Sequence, residues 1–363
     1  MREADGTDCI VLALTEGEKD QVWELVQRGE HLDPVGDADG YVLESQELAA
    51  GLPSRLRQTL LRFRVNKQRA GGLLIRNLPI GEIPQTPTHA DYGIGSTLLA
   101  SKTMSLAVSV LGDMFGFRPE LGGRIIQDIL PVQGFEDTQQ SISSRAPLEM
   151  HCETAFTYTR ADYIGLLCVR QDREKVAGTL LSPAHKVLAA LDPATVELLR
   201  QPRFSTTVDG SFLRGSGLTE AVVVKPIRVV TGTPDYPYLR ADFAETAGLD
   251  PEAQKAVEDL YRAACDIAAS IYLEPGDLLL VDNHQTFHGR TPFRMHGDGW
   301  DRWLLRSFVT RDLPKSVADR PGNGRIVDID YVTLVTGDVP VQRGPASDGR
   351  ASSHTIFESS SSA

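Results

Sequence analysis

From Gly123 onward the chain breaks into short apolar runs separated by turn residues, and no other feature constrains the fold as tightly. RIIQDILPV, LEMHCETAF, YIGLLCVR and GTLLS come first, then RFSTTV, EAVVVKPIRVV and YPYLRADF, and finally GDLLLVDN, TFHGR and WLLRSFVTR. Runs of this length at near-even spacing predict a β-sandwich or barrel. Two helical stretches interrupt them, about Pro183 to Gln201 and about Pro251 to Tyr272, the second with apolar residues three and four apart. The expected class is mostly β with flanking helices.

The first 118 residues have a different texture. Ile10 to Leu14 reads as a strand, and Thr15 with Glu18 forms a capping box that predicts a helix to about Arg28. Ser45 to Val65 is helical in pattern but interrupted by Gly51 and Pro53, and Gly71 to Leu78 is a buried-strand candidate. After PIGEIPQTPTHA, which cannot pair regularly because proline lacks the donor, Ser96 to Phe115 has helical length and spacing. The expected organisation is a helical scaffold over 1–118 packed on the core, a β core over 119–338 with helical inserts at 183–201 and 251–272, and a loose Ser-rich tail over 339–363.

A net charge of −12 argues against nucleic acid as partner, because phosphate binding needs a basic footprint. Cys9, Cys152, Cys168 and Cys265 are scattered without a CxxC pair, which predicts free thiols in a reducing compartment. The acidic N-terminus does not match a signal peptide, and no apolar run approaches the roughly 20 residues of a spanning helix. The expectation is a cytoplasmic protein with no membrane partner; oligomeric state is not legible.

Within LEMHCETAF, His151 and Glu153 stand two apart, so on a strand they point the same way and Cys152 points opposite. A carboxylate in a half-buried strand is costly unless it meets a cation or donors. An imidazole beside a carboxylate makes two thirds of a facial triad suited to non-haem Fe(II). The best third ligand is His288 in VDNHQTFHGR, with His284 four residues earlier as its competitor. His89, His185 and His296 lie in loop or helix contexts and read as structural or solvated. Two His and one Glu also hold catalytic zinc, so iron requires evidence of a co-substrate.

That evidence lies in DRWLLR. Arg302 and Arg306 are four apart and share a strand face. Two guanidiniums in one apolar cavity are expensive unless carboxylates occupy them, and arginine binds carboxylates bidentately. Surface exposure beside Asp298 and Asp301 is the alternative.

HCETAF, YTRADYIGLLCVR, DNHQTFHGRTPF and DGWDRWLLRSFVTRDL, in that order, resemble the clavaminate synthase-like Fe(II)/2-oxoglutarate oxygenases, over about Gly112 to Ile326. Within that family the motifs resemble those of the arginine β-hydroxylases of viomycin and capreomycin biosynthesis. The resemblance implies a double-stranded β-helix (jelly-roll) core and metal ligands His151, Glu153 and His288. It implies Arg302 and Thr179 for the distal carboxylate of 2-oxoglutarate, and Arg306 for the α-carboxylate of a free amino acid. Ser141 and Asp242 become substrate contacts, and Glu153 accepts from the α-amine. The expected reaction is hydroxylation at C3 or C4 of arginine or a relative such as citrulline or lysine, in antibiotic metabolism. Desaturation, double oxidation and a non-catalytic jelly-roll binding protein are the alternatives.

Two departures bear on selectivity. The arginine enzymes carry a pair of acids on a loop, whereas LRADFAE keeps Asp242 and has Ala244 at the second place, with Glu245 next to it. A glutamine they place near the amine falls at Leu121. TVDGSFLRGSGLT, over 207–219, is a candidate lid or simply a long connection.

Overall fold

The computed structural model describes residues 2–3, 8–30, 33–65 and 69–329; the tail expected over 339–363 lies outside them. The first part of the chain supplies β1 (Cys9–Ala13), α1 (Glu16–Arg28), α2 (Ala38–Ala49), α3 (Ser54–Val65), β2 (Gly72–Arg76), α4 (Leu99–Val108) and β3 (Asp113–Phe117). The capping box at α1 is complete: Thr15 Oγ1 accepts from the Glu18 N–H at 3.3 Å, and Glu18 accepts from the Thr15 N–H at 2.9 Å. α2 starts earlier than its apolar pattern suggests because Asp37 caps it, accepting from the Gly40 N–H at 2.9 Å.

The helix expected over 96–115 is a correction. It ends at Val108, and Asp113–Phe117 is a strand. The chain must lie flat there, because a Cβ on Gly112 would fall 2.2 Å from the Thr310 carbonyl oxygen.

β4 (Gln127–Ile129), β5 (Leu148–His151), β6 (Tyr163–Arg170) and β7 (Gly178–Pro183) follow. The insert expected at 183–201 is two short helices, α5 (Ala184–Ala189) and α6 (Pro193–Leu199), separated where Asp192 caps and Pro193 starts the second. α7 (Gly210–Gly215) lies in the Gly/Ser-rich connection. α8 (Pro251–Ile267) is shorter than expected, since Ala269–Tyr272 forms β8 against β7; ASIY is rich in strand-favouring side chains. β9 (Leu278–Asp282), β10 (Thr286–Arg290) and β11 (Trp303–Thr310) complete the frame.

Two sheets result. The larger, nine-stranded, runs Arg2–Glu3, β1, β2, β9, β6, β11, β3, Ile326–Val327, with β4 also on β11. The smaller runs β8, β7, β10, β5. The central strands of the large sheet are buried on both faces, and each face has its own apolar cluster. Tyr163, Leu167, Leu278, Leu280, Trp303 and Leu305 pack against α1–α4. Ile164, Leu166, Leu279, Val281, Leu304 and Phe308 face the small sheet, meeting Met150, Leu181 and Phe287. Alternation along β11 therefore sends Arg302, Leu304 and Arg306 to the face between the sheets. The N-terminal strands β1–β3 are part of that same large sheet, so the helical layer is joined to the β core through continuous hydrogen bonding.

Cys9, Cys152 and Cys168 are buried and Cys265 is exposed, and none of the four is in a disulfide. No helix among the described residues is long and apolar enough to cross a membrane.

Candidate active site

β5 and β10 are neighbours, and His151 and His288 are direct cross-strand partners. The two rings sit 4.2 Å apart, centroid to centroid. The strand expected over LEMHCETAF stops at His151, a correction to the alternation argument: Glu153 lies in the turn that follows. Two local features divert the chain. The Cys152 N–H donates to the Ala241 carbonyl at 2.7 Å, and Thr154 adopts a left-handed φ of 52°. Glu153 nevertheless reaches the imidazoles, with Oε2 3.4 Å from His288 Nε2 and 3.7 Å from His151 Nε2. One donor atom from each of the three lies within 4.8 Å of the others, and no other such group occurs among the described residues.

Asn283, in the turn between β9 and β10, holds Glu153 in place. Its Oδ1 accepts from the Glu153 N–H at 2.8 Å, and its Nδ2 donates to the carbonyls of Glu153 at 3.1 Å and Ala161 at 2.9 Å. The amide is fully buried, so Asn283→Ala leaves three backbone groups without partners. We expect it to lower unfolding free energy by about 2–4 kcal/mol. Calorimetry checks this; a change within about 0.5 kcal/mol, the scale of a neutral surface substitution, would refute the clamp.

His284, the competing ligand, is turned away. Its Nδ1 takes an Arg160 N–H at 2.8 Å and its Nε2 meets Asp162 at 3.1 Å, while burial first, then Arg160, lower its pKa to about 4. His185 pairs with Asp8, His296 with Glu174, and His89 is exposed. The Nδ1 of His151 is held by the Glu149 carbonyl at 2.8 Å, leaving Nε2 for the centre. Burial opposes charge on His151, but the Glu153 hydrogen bond and the Asp242 charge outweigh it and lift the pKa to about 9. Burial and the adjacent His151 bring His288 down to about 4. Burial works against ionised Glu153 too, yet Arg306 and both imidazoles hold it well below the usual range.

These groups line a cavity of about 450 Å³ between the sheets. Arg306 on β11 and Arg302 immediately before it both line the cavity, which excludes the surface reading. Arg306 is 4% exposed, and its guanidinium is held by Glu153 at 2.7 Å, Gln127 at 2.8 Å and Glu120. Arg302 is 6% exposed and lies 5.6 Å from the Phe293 ring, without a hydrogen bond or ion pair among the described residues. Burial depresses its pKa. Thr179 is buried on β7 and Ser141 stands at the cavity wall.

Sequence reasoning missed Glu120 and Asp209. Glu120, beside the expected Leu121, supplies a second buried carboxylate to Arg306. Its signal was present as an acid flanking a turn before the β core, but nothing local indicated burial. Asp209 enters from the start of α7 and lines the cavity with Asp242 and Glu245. Burial, then the charge of Asp242, push the Asp209 pKa well above the carboxylate range; burial also raises Asp242 and Glu245. Asp209 thus joins Asp242 and Glu245, which flank Ala244, from elsewhere in the fold, and three carboxyl groups line this end of the cavity.

A family model described as taurine catabolism dioxygenase TauD, TfdA family, matches residues 52–308. The chain is 34% identical over 292 residues to L-lysine 3-hydroxylase of Catenulispora acidiphila, covering 80% of this chain and 81% of that one. It is 34% identical over 282 residues to clavaminate synthase 2 of Streptomyces clavuligerus, covering 77% and 86%. Among solved structures, asparagine oxygenase with Fe(II), 2S,3S-3-hydroxyasparagine and succinate superposes with a TM-score of 0.81 at 32% identity, covering 88% of this chain and 99% of that one. The non-heme iron oxygenase OrfP with Fe and alpha-ketoglutaric acid gives 0.77 at 28% identity, covering 87% and 99%.

Proposed function

Because this chain belongs to the TauD/TfdA dioxygenase family, we propose that it is an Fe(II)/2-oxoglutarate-dependent oxygenase hydroxylating C3 or C4 of a free basic L-amino acid, such as arginine or lysine. The carrying observation is one cavity that brings His151, Glu153 and His288 within 4.8 Å and also holds a buried Arg302 that no carboxylate among the described residues pairs with. The donor set fits Fe(II): two neutral-capable imidazoles and one carboxylate are the facial triad of non-haem iron oxygenases. His151, Glu153 and His288 would hold the metal. Bound iron, with 2-oxoglutarate and O2, supplies the oxidising power for breaking a C–H bond, and the protein supplies orientation and exclusion of water.

Arg302 and Thr179 would take the distal carboxylate of 2-oxoglutarate, an ion pair Arg302 does not make among the described residues. This requirement favours iron over a zinc hydrolase, which has no use for a cation there. At the amino-acid end, Arg306 between Glu120 and Glu153 presents alternating charges, the complement of a zwitterion. Arg306 would meet the α-carboxylate, the two glutamates the α-ammonium, and Ser141 would add a hydroxyl. Asp242, with Asp209 and Glu245, would meet the cationic end of the side chain and so set which carbon faces the metal. The two facing sheets are read as a double-stranded β-helix, or jelly roll. Residues 1–118 serve as its scaffold, and a cytoplasmic role in antibiotic metabolism accords with the sequence resemblance.

The test is succinate formation with Fe(II), O2 and 2-oxoglutarate over a panel of free L-amino acids. Lysine, ornithine or arginine is expected to stimulate it well above asparagine or citrulline. Asp242→Asn is expected to raise KM for the basic substrate about 10–100-fold, as loss of a charge-assisted contact in a closed cavity does, while leaving KM for 2-oxoglutarate unchanged. No stimulation by any free amino acid would defeat the reading, and an unmoved KM would remove Asp242 from the pocket.

A further inference from the structure

Arg290 has no place in the chemistry above, although it lies inside the site. It follows His288 by two positions on β10, so both side chains leave the same face of the strand. Its cross-strand partner on β7 is Thr179. Arg290 is 4% exposed and lines the cavity.

Its partners are all neutral. Nη2 donates to Ser143 Oγ at 2.9 Å and to the Ala146 carbonyl at 3.0 Å, and Nε reaches the Thr291 carbonyl at 3.4 Å. No carboxylate pairs with it among the described residues. Arg302 lies against the same aromatic ring: the two guanidiniums are 5.1 Å and 5.6 Å from the Phe293 centroid. The carboxylate whose charge reaches Arg302, that of Asp172, accepts from the N–H groups of Val176 and Ala177.

Two buried cations facing one cavity are unfavourable by desolvation and by mutual repulsion, and a chain gains nothing from keeping both unless an anion joins them. Carbonyl and hydroxyl acceptors orient a guanidinium but do not neutralise it. We propose that Arg290 is a second cation for the distal carboxylate of 2-oxoglutarate, acting with Arg302, and that the pair makes the pocket selective for dicarboxylate over monocarboxylate 2-oxo acids. This rests on the 2-oxoglutarate reading of the cavity.

The test is direct binding, by titration calorimetry of the full chain loaded with Mn(II), which binds the co-substrate without turnover. Two ligands are compared: 2-oxoglutarate, and 2-oxopentanoate, which has the same carbon chain without the distal carboxylate. Arg290→Gln keeps donors for Ser143 and Ala146 but removes the charge. It is expected to raise Kd for 2-oxoglutarate about tenfold or more, the scale of one charge-assisted contact, and to leave Kd for 2-oxopentanoate within about twofold. Arg290→Lys, which keeps the charge and loses the fork, should recover part of the loss. It carries the same test should Arg290→Gln fold poorly, with a shift of about threefold expected for 2-oxoglutarate alone.

If the wild-type chain binds both acids equally, the co-substrate reading itself fails. If it prefers 2-oxoglutarate and the variants keep that preference, only the Arg290 assignment falls, and the residue is a tie for the 143–146 segment. Equal loss for both acids would also overturn the assignment, since it would mean a disturbed site and not a lost counter-charge.

Discussion

His288→Ala is expected to abolish amino-acid-dependent succinate formation, lowering turnover about 10³-fold or more, as loss of an essential site component does. His288 is the one donor contributed by β10, and the remaining pair, His151 and Glu153, comes from a single short segment. Two donors leave a divalent ion without the third protein ligand that fixes it on one face. Even outlying partners of metal ligands cost 10–100-fold in metal affinity when removed, so loss of a ligand should cost about 100-fold or more in Fe(II) Kd. Both quantities are measurable: succinate by coupled assay, and metal affinity by competition with a chelator under anaerobic conditions. The variant should remain folded, because the imidazole Nδ1 has no hydrogen-bond partner to lose. Retained turnover would mean that the third ligand is not His288. His284 offers no relief, since Arg160 and Asp162 occupy both its nitrogens.

Arg302→Gln is the second large effect, and it separates binding from stability in opposite directions. Arg302 is buried without an ion pair among the described residues, so in the free protein its charge is a cost. With the co-substrate's carboxylate in place, the same burial strengthens the pairing. Removing one partner of such a pair costs about 2–5 kcal/mol, or roughly 30- to 5,000-fold in kcat/KM for 2-oxoglutarate. KM for the amino acid should change little. The free variant should melt at the same temperature as the parent or above it, because a desolvated charge is gone. An unchanged KM for 2-oxoglutarate would remove Arg302 from the pocket. A marked drop in melting temperature would show that the side chain holds the fold instead.

Patterns of short range were legible in the chain. Thr15 and Glu18 announce the start of α1 because the capping box is closed within four residues, and it is present in full. YIGLLCVR, GTLLS and GDLLLVDN are strands because an apolar run bounded by turn residues has few other stable uses. The pair Arg302 and Arg306 lines the cavity because an even step along an extended chain preserves the face, and the alternation holds into β11 although its pairing with β6 shifts between Trp303 and Leu304. Errors came where a neighbour far away in sequence decides the outcome. Asp113–Phe117 has helical spacing, but β11 lies alongside and the backbone approach at Gly112 leaves no room for a helix. Ala269–Tyr272 likewise leaves α8 to pair with β7.

The site divides in the same way. Residue identity and spacing along single strands determined the donor types: two histidines, a glutamate and paired arginines, hence metal and dicarboxylate chemistry. Tertiary structure alone decided which further acids enter the cavity. Glu120 reaches Arg306, and Asp209 reaches the loop of Asp242 and Glu245, from distant segments, and Arg290 joins Arg302 only because β10 and the start of β11 converge on Phe293. The physical reason is that covalent spacing sets which groups a strand presents to one face. How strongly those groups act depends on burial and on charges from other strands, and neither exists until the sheets close on each other.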